Sequence, residues 1–192
     1  MCTNGDKGSA EPHMTSQMLS DIRAAEQESA SKVLGLQEVV SFGYPDGELD
    51  DTKEFRERIV KNIRKYQPEV VLSTDPIRQS FYIHRDHRIT GQVVLDAIYP
   101  YSRDRLYYPH HEKEGILTHK VKDVLLWGSE SPNEIVNITE YIDTKIEALS
   151  EHLSQLSDID SVGSRLKDSA KRAAANQDYQ YGEAFRRIVF RQ

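Results

Sequence analysis

Apolar positions along the chain alternate between short β-branched runs and longer stretches with an apolar side chain every three or four residues. TSQMLSDIRAAEQESASKVLG places Met18, Ile22, Ala25 and Val33 at helical spacing, after capping candidates at Thr15 and Ser16 and before Gly35. EVVSF (Glu38 to Phe42) then reads as a buried strand, and GYPDGELDD as a turn built on Pro45, Asp46 and Gly47. In DTKEFRERIVKNIRKY, Phe55, Ile59, Ile63 and Tyr66 draw one stripe on a helix that Pro68 ends, and EVVLST (Glu69 to Thr74) is the next strand. ITGQVVLDAIYP reads as a helix stopped by Pro100, and DVLLWGS and EIVNIT as two further strands. TEYIDTKIEALSEHLSQL sets Ile142, Ile146, Leu149, Leu153 and Leu156 on one core-facing side of a helix. The opening MCT has the character of a strand end running into the glycine-rich turn NGDKGS.

Strand and helix in alternation predict an α/β protein with a mostly parallel sheet covered by helices on both faces. Ligands in such sheets sit at the carboxyl ends of the strands. That rule selects three loops: NGDKGS after Thr3, GYPDG after Phe42, and DPIRQSFYIHRDH after Thr74.

The length of 192 residues suits a single domain spanning 1–192, and 38% hydrophobic with 29% charged residues is ordinary for a globular chain. A net charge of −6 argues against a nucleic-acid partner, and acidity of this size serves solubility. Cys2 is the single cysteine, so no internal disulfide forms. No apolar run approaches the roughly 20 residues of a membrane span, and no basic segment leads into an apolar one. The expected compartment is therefore the cytoplasm, with nothing against a homo-oligomer.

HRDH, His84 to His87, is the strongest chemical signal: two imidazoles and a carboxylate between a strand and a helix. A neutral imidazole can ligate a metal through one nitrogen while the other is held by an acceptor. A second imidazole bonded to Asp86 would be easier to protonate, and could stabilise an oxyanion or protonate a leaving amine. The same residues also suit a polar helix start at which Asp86 only caps. NGDKGS could cradle a phosphate, which leaves a nucleotide-binding module as a distant third function, or simply turn the chain. His110 and His111 beside Pro109 read as solvated, and His13, His119 and His152 carry no signal.

Taken together, TNGDKGS, the set Arg23, Glu26, Ala30, Leu34 and Gly35, then GYPDGEL, VVLSTDP, YIHRDHR and YGEAFR resemble the PIG-L/LmbE-type de-N-acetylases, in register from residue 1 almost to the C-terminus. The resemblance implies a Rossmann-like fold and zinc-dependent removal of acetyl from an N-acetylglucosamine-type substrate, a small N-acetylated amino-sugar conjugate. By it, His87 corresponds to a zinc ligand. His84 corresponds to the histidine that stabilises the tetrahedral oxyanion, with Asp86 as its partner, and Tyr82 to a mobile tyrosine near the reacting carbonyl. Arg23 and Asp46 match positions associated with sugar recognition.

The family signature begins with HPDD, which supplies two further zinc ligands and the general base, and HPDD does not occur in these 192 residues. The expectation is that the first, central strand and first helix precede Met1, whether through a misassigned start or a real truncation. The zinc site would then be incomplete, zinc would bind weakly, and two strand edges would lack a partner. The alternative to an enzyme is a catalytically inactive fragment or pseudoenzyme retaining a sugar-binding groove.

Overall fold

The pattern of short strands and amphipathic helices becomes an α/β fold in the computed structural model, which describes residues 1–79, 83–156 and 158–191. Its α-helices among the described residues are α1 (Ser16–Val33), α2 (Lys53–Tyr66), α3 (Arg85–Asp96), α4 (His110–Lys113), α5 (Ile142–Ser150) and α6 (Ile159–Ala173). Strands β1 (Val70–Thr74), β2 (Asp123–Trp127), β3 (Glu134–Asn137) and β4 (Gly182–Val189) form one mixed sheet in the order β1-β2-β4-β3. β1 and β2 are parallel, paired from Val70 with Asp123 to Thr74 with Trp127, and β4 runs antiparallel to β2. Contacts group the chain into two compact units, Met1–Glu48 with Ile135–Glu183, and Leu49–Glu134 with Ala184–Gln192.

In the first unit, α1 starts where Thr15 accepts the Met18 N–H, as the capping pattern predicts. Its buried side is not the predicted stripe. Met18 and Ile22 are exposed, while Leu19, Glu26 and Ala30 face inward. The phase follows Glu26, whose carboxylate accepts from the backbone N–H of Ser154 at 2.5 Å and its hydroxyl at 2.8 Å. A buried carboxylate needs such partners, and this one lies 128 residues away. The predicted helix through Leu156 ends at Ser150, leaving Leu153 exposed. The predicted strand at Glu38 to Phe42 is extended chain instead. Met1 and Cys2 carbonyls accept from Phe42 and Tyr44, and a single parallel bridge joins Thr3 to Tyr44.

The second unit holds a core of Val60, Ile63, Val94, Ala97, Ile98, Tyr108, Val121, Val124 and Leu126. Each buried valine, isoleucine or leucine here contributes about 1.5–3 kcal/mol by leaving water. Thr52 caps α2 through the Phe55 N–H; of the predicted stripe Phe55 and Ile63 are buried, Ile59 is part-buried and Tyr66 is exposed, while Val60 and Arg64 are buried beside it. One face of β1 is open, with Val70 and Leu72 exposed. Arg64, on the inner side of α2, is 1% exposed and donates to the carbonyls of Tyr101, Asp104 and Tyr107 at 2.8–2.9 Å. It thereby moulds the segment 101–111 around one guanidinium.

His111, predicted to be solvated, is instead fully buried. Its Nδ1 lies 3.2 Å from Arg64 Nη1, and because guanidinium only donates, Nδ1 is the acceptor. Burial, then the Arg64 charge and His110, lower its pKa below the ordinary 6.5, against an opposing pull from Glu57. The unfolded chain then binds the proton that the folded one refuses, so stability falls as pH drops below about 6.5 toward the folded value. Thermal melts at pH 7.5 and 5.5 are expected to show a lower Tm in acid, with a shallower slope in His111→Gln; equal slopes would assign the effect elsewhere.

Candidate functional site

β1 delivers the chain to a tightly bonded corner at its carboxyl end. Asp75 is 1% exposed; its N–H donates to the Trp127 carbonyl at 3.0 Å, and its carboxylate accepts from the Ile77 N–H and from Arg186, both at 2.9 Å. Arg78 turns back to donate to Thr74 Oγ1 at 2.7 Å and the Trp127 carbonyl at 3.0 Å, its guanidinium 4.8 Å from the Trp127 ring centre. Tyr82 lies outside the described residues.

α3 begins with HRDH itself, four residues earlier than the apolar spacing predicts, so the motif is the first turn of a helix aimed from the strand end. His84 is the N-cap, its Nδ1 accepting the Asp86 N–H at 3.3 Å. A capping imidazole must present a lone pair at Nδ1, which in the neutral ring places the proton on Nε2. A positioned N–H of this kind is what a developing oxyanion requires.

Asp86 is buried, and its carboxylate accepts the Leu49 N–H at 3.2 Å. Its place in the first turn also sets its charge against the positive end of the α3 dipole. A ring nitrogen of His84 and an oxygen of Asp86 lie within 4.8 Å of each other, while the direct His84 bond goes to the Asp86 backbone. His87 is half-buried, with ring centres 5.4 Å from both Trp127 and His84. Burial first, then His84 and the Arg78 cation, lower its pKa and favour the neutral ring, the form that ligates a metal.

Arg23 and Asp46, in the other unit, meet on the NGDKGS loop. Arg23 Nη1 donates to the Gly5 carbonyl and, at 2.9 Å, to that of Lys7. The Asp6 carboxylate accepts the Asp46 N–H at 2.9 Å, and the Lys7 ammonium followed by that N–H holds Asp6 below the usual carboxylate range. Gly5 takes φ +65°, and a Cβ there would lie 2.9 Å from Arg23 Cδ, so the glycine lets the arginine close on the loop. The sequence does not single out Asp6, Arg78 or Trp127. The only signals were an Asp-Lys pair between glycines and the chain's single tryptophan at a strand terminus.

Among the described residues, no helix is long and apolar enough to cross a membrane. The chain is 28% identical over 160 residues to a diacetylchitobiose deacetylase of Thermococcus kodakarensis, covering 81% of this chain and 57% of that protein. It is 29% identical over 166 residues to a probable N-acetyl-alpha-D-glucosaminyl L-malate deacetylase of Bacillus anthracis, covering 80% of this chain and 66% of that one. The chain therefore spans less than two thirds of the length of these curated relatives. The N,N'-diacetylchitobiose deacetylase of Pyrococcus horikoshii, solved with an inhibitor, superposes with a TM-score of 0.88 at 27% identity, over 98% of this chain and 71% of that one. Residues 1–98, about half of the chain and the part that holds Arg23, Asp46 and HRDH, match the profile of the PIG-L family, GlcNAc-PI de-N-acetylase, and the chain belongs to that family.

Proposed function

We propose that this chain carries the oxyanion-stabilising part of a zinc-dependent hydrolase that removes acetyl from an N-acetylglucosamine-type conjugate. The observation that carries the reading is His84, an N-cap imidazole whose Nδ1 accepts the Asp86 N–H at the start of α3, beside the buried Asp86 carboxylate. His84 would donate to the acetyl oxygen as negative charge develops there. Asp86, fixed by the Leu49 N–H, holds this turn and with it the orientation of His84. His87 suits a zinc ligand, since its neutral form is favoured and Trp127 fixes its ring. Zinc, when bound, supplies polarisation of the carbonyl and a more acidic water. Arg23 holds the NGDKGS loop, and Asp46 is fixed on that loop through Asp6; both are assigned to the sugar. Tyr82 is assigned to the reacting carbonyl.

The test is acetate release from N-acetylglucosamine and its glycosides with zinc supplied. His84→Ala is expected to lower kcat/KM about 10²-fold, close to 2.7 kcal/mol. Unchanged rates in that variant would remove the proposed role. Saturable sugar binding with no acetate in the wild type would favour the non-catalytic reading.

A further inference from the structure

A second place in the Leu49–Glu134 unit has the make-up of a ligand site and takes no part in the chemistry above. A cavity of about 430 Å³ opens between the first two turns of α2 and the segment 101–110. This volume falls in the range of small-molecule pockets. Its walls combine aromatic faces with charged planar groups. Tyr101 and Tyr107 meet edge to face with ring centres 4.5 Å apart, and Arg56 lies 5.1 Å from the Tyr101 ring centre. The Nε of Arg56 is buried without a hydrogen-bond partner among the described residues.

The fixed point of the cavity is Glu57. Its Oε1 lies 2.6 Å from Nε2 of His110 and 3.4 Å from Nε2 of His111. These three side chains have the composition of a metal site, and their donor atoms fall within 4.8 Å of one another. Arg64 argues against a metal. Its N–H points at His111 Nδ1, which keeps the proton on Nε2, whereas a ligating Nε2 needs that proton moved to Nδ1, facing another donor. His111 Nε2 therefore stands buried 3.4 Å behind the Glu57 carboxylate, with no hydrogen-bond partner among the described residues. The His110 side chain is about half exposed, so an incoming hydroxyl can replace it at the carboxylate.

We propose that this cavity binds a saccharide ring. The ring's C–H face would lie on Tyr107, its hydroxyls would be shared between Glu57 and Arg56, and His110 would swing aside. Apolar ring faces next to a charged planar donor and acceptor match the alternation of C–H and O–H groups on a pyranose. A purely apolar or purely ionic ligand would leave half of these groups without partners. The inference rests on the sugar-directed reading above and extends it to a second locus.

The probes are N-acetylglucosamine and its β-1,4-linked dimer, titrated by saturation-transfer NMR and calorimetry into the whole protein. Wild type and His84→Ala are expected to bind alike at this locus. Tyr107→Ala and Glu57→Gln should each weaken it at least 10-fold, with Tyr107→Phe restoring most of the loss, at melting temperatures that show folded protein. Undiminished affinity in Tyr107→Ala, loss in His84→Ala, or no binding of either sugar overturns the inference. Acetate release with cavity variants that bind like wild type sinks this proposal alone. Cavity-dependent binding without acetate release sinks the catalytic reading alone.

Discussion

Arg64→Met is expected to lower the unfolding free energy by about 3 kcal/mol, because several backbone carbonyls lose one shared buried donor. Methionine replaces the aliphatic stem and part of the volume, so the loss isolates the guanidinium. That group donates at 2.8–2.9 Å to the carbonyls of Tyr101, Asp104 and Tyr107, and reaches Ser102 at 3.3 Å and Tyr108 at 3.5 Å. Each buried carbonyl left without a donor costs about 1–3 kcal/mol, and water entering the gap recovers some of it. Arg64→Lys should recover only a fraction, because one ammonium cannot span acceptors that a planar fork reaches together. Urea unfolding checks both variants. A loss below about 1 kcal/mol in Arg64→Met would mean that segment 101–111 holds its shape without this hub. Because the same segment walls the Tyr101–His110 cavity, saccharide affinity should fall with Arg64→Met before the fold is lost.

What the pattern of residues made legible, and what it hid, divides by the range of the interactions involved. α2 and β1 appear close to their predicted bounds, since helix spacing, Thr52 and Pro68 are local signals. HRDH stood out because three titratable side chains share one turn, although its apolar neighbours placed the helix start too late. The buried face of α1 depends on Ser154 and the burial of His111 on Arg64, and neither partner is near enough in sequence for a local pattern to announce it. α6 and β4 went unpredicted. α6 carries Gly163 and polar residues through its length, and β4 pairs with β2 from more than fifty residues away. Local chemistry marks where a reaction can occur, and long-range polar partners decide which faces close around it.

That division is sharpest at Gly91, which the helical pattern of ITGQVVLD would accept equally well as alanine. Alanine favours an exposed helix interior over glycine by about 1 kcal/mol, so local propensity alone predicts that Gly91→Ala stabilises the protein. The structure predicts the opposite. A Cβ at position 91 would lie 2.5 Å from the carbonyl oxygen of Thr74, 2.9 Å from Cδ of Pro76 and 3.0 Å from its nitrogen. None of these is the end of a flexible side chain, and the corner they belong to is pinned by Asp75 and Arg186. α3 would have to move away from β1, at a net cost of about 3 kcal/mol for overpacking against backbone. His84, Asp86 and His87 sit at the start of that helix and would move with it, so the His84 and His87 imidazole resonances should shift as Tm falls. Any acetate release should drop in parallel, since displacement of about 1 Å at a reacting centre costs on the order of 10²-fold. A higher Tm with unmoved imidazole resonances would show that the close approach of α3 to Thr74 does not set the position of the motif.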